Sequence, residues 1–171
     1  MDNLIKVKFV VASPEGVNIL QNLATACLQE KYANTLSKKT LLNYIDSRYD
    51  TQAIVIEFND FTNQLLVVYI NEEPVGYAIV KQKGTHPKQL DGLRIGYIEE
   101  FALLDKHLTG GAGQLLLEKC LAIFKSFDAV VSLQTQNSII EVFKKSGFEL
   151  SGTQKFVIAD KEAEGNLLIK K

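Results

Sequence analysis

Apolar and polar positions alternate from the first residues of the chain. Ile5, Val7, Phe9 and Val11 are interleaved with Lys6 and Lys8, the period-two pattern of a half-buried strand. At Ser13 the period changes. Ser13-Pro14-Glu15 offers an N-cap, a proline at the first helical position and an acid in the first turn. Val17, Leu20, Leu23, Ala24 and Cys27 then fall on one helical face. Ser37 is placed to cap a second helix carrying Leu41, Leu42 and Ile45, and Ala53–Phe58 suits a third. Two apolar runs follow, Leu65–Ile70 and Val75–Val80, separated by Asn71-Glu72-Glu73-Pro74, a hairpin by length and composition. Lys81–Arg94, with two glycines and a proline, reads as a loop. Beyond it the pattern predicts a strand from Tyr97, a glycine-led helix, a strand over Ala129–Gln134 and a helix over Ser138–Lys145 with Gly147 at its C-cap. Two final strands are expected near Glu149–Ile158 and Leu167–Lys170.

The resulting order is one strand, two or three helices, three strands, then α-β-α-β-β. Composition agrees with a folded domain: 171 residues, 46% hydrophobic and 23% charged, enough chain to bury a real core. Residues 1–171 are expected to form one domain, since no repeat, low-complexity segment or linker interrupts them. A formal charge of −1 leaves no basic surplus for a nucleic-acid partner. No apolar run is long enough to span a bilayer. The segment Met1–Gly16 alternates and does not read as a signal peptide. Cys27 and Cys120 fall in separate helical patterns. That suggests a reducing, cytoplasmic setting, with neither a disulfide framework nor a zinc site.

The candidate chemistry lies between Tyr97 and Cys120. Gly110, Gly111 and Gly113 precede or open a helix, where unpartnered N–H groups and the positive end of the helix dipole attract anions. Missing Cβ atoms let a phosphate approach the main chain. A flexible connection is the plainer reading of such a turn. A dinucleotide-binding turn should follow the first strand, with an acid about 20 residues later; here the turn follows the fourth strand. A P-loop requires Gly-Lys-Ser/Thr, which is absent.

The order of elements and two motifs resemble the GNAT superfamily of acyl-CoA-dependent N-acetyltransferases. The superfamily signature Arg/Gln-x-x-Gly-x-Gly/Ala falls on Leu108-Thr109-Gly110-Gly111-Ala112-Gly113, followed by Gln114 and three leucines. A second motif, Asn-x-x-Ala-x-x-x-Tyr-x-Lys-x-Gly-Phe, falls without a gap on Gln136–Phe148. Pro74-Val75-Gly76-Tyr77 also matches the third strand of the family. The match in motif spans residues 64–171, and residues 1–60 match in element order. The resemblance implies an α/β (α+β) fold, a mixed and mostly antiparallel twisted sheet of about seven strands flanked by helices. Tyr97-Ile98-Glu99-Glu100-Phe101 is similar to the polyamine (diamine) N-acetyltransferases.

The resemblance implies acetyl-CoA as co-substrate and direct attack by an amine in a ternary complex. It places the pyrophosphate over Leu108, Thr109, Gly110, Gly111, Ala112, Gly113 and Gln114. Phe101, Ala102 and Leu103 lend backbone groups to the pantetheine arm. It further implies CoA contacts from Gln136 or Asn137, from the Phe143 region and from Lys145. Two departures stand out. Leu108 occupies the Arg/Gln position, and Phe143 the position of the tyrosine that protonates the leaving thiolate. Neither is required, since backbone N–H groups do most phosphate cradling and a thiol of pKa about 8.5 leaves readily.

An alkylammonium of pKa about 10 must lose a proton before it attacks. The resemblance assigns that proton to Glu99 and gives Glu100 a part in holding the amine. Strict alternation would put Tyr97, Glu99, Phe101 and Leu103 on one strand face and Ile98, Glu100 and Ala102 on the other. His86 and His107 lack ligand-spaced partners, so no metal is expected. The expected partner is a small-molecule or peptide amine; a second copy of the chain, as a homodimer, is left open. A different class of function also stays open: a degenerate domain that binds acyl-CoA as a non-catalytic sensor or regulatory module.

Overall fold

The computed structural model describes residues 3–171. Seven strands form one sheet: β1 (Ile5–Val10), β2 (Gln64–Ile70), β3 (Glu73–Lys81), β4 (Ile95–Leu103), β5 (Ala129–Gln134), β6 (Glu149–Ile158) and β7 (Lys161–Lys170). Their spatial order is β1-β2-β3-β4-β5-β7-β6. Every neighbouring pair is antiparallel except β4 and β5. Five helices flank the sheet: α1 (Pro14–Tyr32), α2 (Lys38–Arg48), α3 (Thr51–Phe58), α4 (Ala112–Ile123) and α5 (Asn137–Lys145).

Local chemistry explains most boundaries. Ser13 Oγ accepts the Gly16 N–H at 3.1 Å and Pro14 opens α1. Ser37 Oγ accepts the Thr40 N–H, and Asp50 caps α3. Helix α5 closes with Gly147 at φ +94, the Gly147 N–H donating to Lys144 O and the Phe148 N–H to Phe143 O. That paired pattern is a Schellman ending. Both long hairpins turn on two residues with positive φ, Asn71-Glu72 and Ala159-Asp160, the turn that matches the twist of the strands.

The core is two-sided. On one face Leu66, Val68, Ala78, Val80 and Ile98 pack under Leu116, Leu117 and Cys120 of α4 and Phe143 of α5. On the other, Leu65, Val67, Tyr77 and Ile79 pack under α1, α2 and α3. Strands covered on both faces read as unbroken apolar runs, hence the sequences of β2 and β3. Strand β6 lies at the sheet edge and its side chains are mostly exposed. Strand β7 begins at Lys161 and not near Leu167. Its first half pairs only with β6, where no helix demands apolar residues, so the Lys161–Asn166 stretch carries no hydrophobic signal.

Candidate functional site

The sheet forks at its centre. Strand β4 pairs with β5 only from Ile95↔Ala129 to Ile98↔Ser132. Beyond that point Leu133 and Gln134 pair with β7, while Glu100–Leu103 pair only with β3. The β5-facing edge of β4 therefore lacks a strand partner from Glu99 onward. Side chains close the root of the fork: Ser132 Oγ donates to Ile98 O at 2.8 Å and accepts from Gln134 Nε2 at 2.9 Å.

Glu99 sits where β4 is irregular. Ile79 faces Glu100 and Val80 faces Ile98, so Glu99 is one residue more than β3 can pair. Such a bulge re-aims the side chains around it. The two faces expected from strict alternation are therefore corrected. Ile98, Phe101 and Leu103 share the α4 side. Tyr97 and Ala102 join clusters on the opposite side, where Glu100 meets Arg48 and Tyr49. Glu99 falls on that side too, joined through Lys81 to Glu57.

The two acids are held differently. Arg48 Nη2 donates to Glu100 Oε2 at 2.5 Å, and the Tyr49 hydroxyl donates to Oε1. The Tyr77 hydroxyl lies 3.1 Å from that of Tyr49; with the Tyr49 proton committed to Glu100, Tyr77 is the donor. Arg48 also makes two hydrogen bonds to Glu57, at 3.1 and 3.2 Å. Lys81 Nζ bridges Glu57 Oε1 at 2.8 Å and Glu99 Oε2 at 2.7 Å. The Glu99 side chain is 46% exposed and that of Glu100 21%. Burial pushes the Glu100 pKa up, against the pull of Arg48 and Tyr49. Burial likewise draws Arg48 down, but the Glu100 and Glu57 carboxylates outweigh it and hold Arg48 above its usual range. Arg48, Tyr49, Glu57 and Lys81 were absent from the candidates. They come from α2, its C-cap, α3 and β3, and no spacing in the sequence links them.

A cleft of about 350 Å³ opens at the fork. Tyr44, Tyr49 and Tyr77 line one wall, Gln134 and Gln136 another, and Phe156 and Ile158 of the β6–β7 hairpin close a third. A second cavity of about 390 Å³ lies beside Lys81, Tyr97 and Gln154. Glu99 lines both. Next to the second cavity the Tyr97 hydroxyl, His86 and Asp91 form a hydrogen-bonded row at 3.0 and 2.9 Å.

The glycine-led segment sits beyond the C-terminal end of β4. Gly111 is the N-cap of α4 at φ +88, a left-handed conformation that favours glycine. The Leu115 N–H is the first to find an intrahelical acceptor, Gly111 O. Ala112, Gly113 and Gln114 thus carry N–H groups without helical partners. Open space surrounds the Cβ position of Gly110. Gly113 differs: a Cβ there would meet Leu103 Cδ1 at 2.9 Å and the Val142 side chain. Its missing Cβ lets α4 pack on β4. Thr109 is exposed, whereas Leu108 is half-buried against the core.

The second motif forms α5. Gln136 is its N-cap residue and lines the cleft; Asn137 begins the helix and is exposed. Gln114 Nε2 donates to Ser146 Oγ at 2.9 Å, tying α4 to the end of α5. Lys145 is exposed in the last turn. Phe143 is fully buried, edge-on to Phe101 and Phe148 at centroid distances of 5.0 and 4.8 Å. It presents no surface to a ligand and acts through packing. Burial pushes the Cys27 and Cys120 thiols up to about 12, far from a nucleophile's range. Among the described residues no group of His, Cys, Asp and Glu is arranged to hold a metal, and no helix is long and apolar enough to cross a membrane.

Comparison with known proteins places these features in context. Residues 22–148 match the family model described as "Acetyltransferase (GNAT) family". The PaiA N-acetyltransferase of Thermoplasma acidophilum, solved in complex with coenzyme A, is similar in structure. Its TM-score is 0.74 at 16% identity, covering 98% of this chain and 99% of that one. The ribosomal-protein-S5-alanine acetyltransferase of Vibrio fischeri gives a TM-score of 0.68 at 12% identity, covering 99% and 96%. Arabidopsis thaliana Naa50, solved with the bisubstrate analogue CoA-Ac-MVNAL, gives 0.62 at 19% identity, covering 98% of each chain. At these identities the likeness carries the fold, the mixed seven-stranded sheet flanked by helices.

Proposed function

The chain belongs to the GNAT family of acetyl-CoA-dependent N-acetyltransferases, and from that premise we propose that it acetylates a primary amine by direct attack in a ternary complex, with Glu99 as general base. The observation that carries this reading is the fork, whose mouth places an acid on a bulge beside an unpaired strand edge. The open edge at Phe101–Leu103 suits the amide groups of a pantetheine arm, which would continue the sheet. The free N–H groups of Ala112, Gly113 and Gln114 suit a pyrophosphate. Thr109, Gly110 and Gly111 leave the approach clear, and Lys145 supplies a nearby surface cation for a phosphate.

The amine enters the cleft and loses a proton to Glu99. Its lone pair attacks the thioester carbonyl carbon, and collapse of the tetrahedral intermediate breaks the C–S bond and expels the CoA thiolate, which takes up the second proton lost from nitrogen. Glu99 suits the base because Lys81 holds one carboxylate oxygen and, among the described residues, no hydrogen bond occupies the other. Glu100 is engaged at both oxygens by Arg48 and Tyr49, which suits a positioning group at the acceptor wall. The likeness to polyamine enzymes rests on Tyr97–Phe101 alone, and both of its acids already hold a cation. A single-amine acceptor, small molecule or peptide, fits this cleft better. The residues form one domain, and two buried thiols suit a cytoplasmic protein.

Thiol release from acetyl-CoA with a panel of amines tests the reading. Glu99→Gln should lower kcat by about 10²-fold, the usual scale of general-base loss, leave CoA affinity unchanged, and recover part of its rate at high pH as the amine deprotonates in solution. Tight CoA binding with no amine consumed would favour the sensor instead. Full activity of Glu99→Gln with a dead Glu100→Gln would move the base by one residue.

A further inference from the structure

We infer that the acceptor carries a carboxylate beside its amine, and that Lys31 receives it. The inference rests on the acetyltransferase reading and narrows its acceptor. Around the cleft, Glu57, Glu99 and Glu100 are all ion-paired to Arg48 or Lys81. Those three carboxylates outnumber the two cations that pair with them, and Lys31 is the remaining cation of the cleft lining.

Lys31, in the last turn of α1, lines the same cleft with Tyr32, Tyr44 and Tyr77. The residue is half-buried, and its ammonium makes no ion pair and no hydrogen bond among the described residues, lying 5.3 Å from the centroid of the Tyr32 ring. Burial draws its pKa down, with Glu100 opposing. A partly desolvated cation with no directly bonded partner gains from a ligand that supplies one.

The charges of the cleft lining narrow what that ligand is. A diamine would set its second ammonium beside Lys31, like against like. An amino-carboxylate presents its amine to Glu99 and its acid to Lys31, with the Tyr32 and Tyr44 hydroxyls available to the remaining carboxylate lone pairs. The phosphates of CoA are already served by the N-terminus of α4, a different element at the far side of β4.

Decarboxylation pairs test this directly: tyrosine against tyramine, histidine against histamine, lysine against cadaverine. Dipeptides with free and amidated C-termini form a further arm. Two readouts are needed, kcat/KM by thiol release and calorimetric affinity for the CoA-loaded protein. The acid-bearing member of a pair should be favoured by about tenfold or more, the scale of one charge-assisted hydrogen bond. Lys31→Met should erase that ratio, Lys31→Arg should keep most of it, and the KM for acetyl-CoA should not move. Preference for free over amidated dipeptides would make the acid a peptide C-terminus and leave its chemistry intact.

Equal or better use of the decarboxylated partners overturns the inference, as does a preference that survives Lys31→Met, or binding of neither member of any pair. Weakened acetyl-CoA binding in Lys31→Met would assign the lysine to the cofactor and also overturn it. Acid-selective binding without turnover would instead sink the transferase reading and leave the inference standing. Turnover without selectivity would do the reverse.

Discussion

The two sides of the fork are built by opposite means. On the cofactor side, the unpaired edge of β4 and the glycine-led start of α4 lie within fifteen residues of sequence, Glu99–Gly113. They work through backbone groups. On the acceptor side, Arg48, Glu57, Lys81, Glu99 and Glu100 converge from α2, α3, β3 and β4 and work through side chains. A backbone site depends little on side-chain identity, so on the proposed reading Leu108 would serve where an arginine or glutamine is usual. A side-chain network is less tolerant, because removing one member takes a partner from each of its neighbours.

The largest effect should therefore fall on the acceptor side. Arg48 is 24% exposed and holds two carboxylates, Glu57 at 11% and Glu100 at 21%. Arg48→Ala leaves both without their shared cation and should cost about 3 kcal/mol or more of stability. Chemical denaturation with a urea series would measure it. A loss below about 1 kcal/mol would mean that solvent replaces the arginine and that the network adds little to the fold. Arg48→Ala combined with Glu57→Gln and Glu100→Gln should recover much of the stability and none of the activity.

Gly113→Val is the cofactor-side counterpart. The sequence motif suggests that a side chain there would obstruct a phosphate, but its Cβ would press on Leu103 Cδ1 at 2.9 Å. The expected result is about 1–3 kcal/mol of lost stability from overpacking, with CoA affinity following only as the helix shifts. Gly110→Ala, where the Cβ meets open space, should be neutral to stability. A fully stable Gly113→Val with abolished CoA binding would restore the phosphate-approach account for that residue.

The same contrast decides what the sequence made legible. Ser13-Pro14, the apolar stripe from Val17 to Cys27, the Gly147 ending and the glycine-led helix are local patterns, and each appears in the structure where its chemistry puts it. The bulge at Glu99 is not local. It exists because β3 offers one residue fewer than β4 between Val80 and Ile79, a mismatch visible only in the pairing of the two strands. Period-two reasoning therefore assigned the faces of β4 wrongly on either side of it. The start of β7 escaped for another reason: Lys161–Asn166 is polar because no helix covers it, and pattern reading needs a covered face. Phe143 was matched to a ligand-facing tyrosine by position, yet an apolar ring at that site turns inward between Phe101 and Phe148.

Leu108→Arg sharpens the cofactor side with a smaller effect. Leu108 is half-buried and rests against the core, at the turn before Gly111. An arginine there should keep its stem on the same surface and direct its guanidinium toward the pyrophosphate, tightening CoA by about 1 kcal/mol. Calorimetry with CoA and with dephospho-CoA separates a pyrophosphate contact, which both ligands report, from one to the 3′-phosphate, which only CoA reports. No change with either ligand would mean that the backbone already satisfies the anion.

The smallest effect is the most discriminating, because its sign opposes the usual one. Burial outweighs the attraction of Glu100, so the folded state holds the Lys31 pKa below the unfolded value. At neutral pH both states carry the ammonium and the folded one bears the burial cost. Lys31→Met should therefore raise stability, by about 0.5 kcal/mol, the scale of a substitution outside the core. A depressed lysine costs the fold most below its folded pKa and nothing above its unfolded pKa. The advantage of methionine should thus be greatest near pH 7 and disappear as pH rises past the usual lysine value of about 10.4. Thermal melts of the two proteins across that range would follow it. A lysine that destabilises the unliganded fold is one kept for its ligand; if Lys31→Met is instead less stable at neutral pH, the ammonium has found a partner within the protein and its claim on an acceptor carboxylate falls with it.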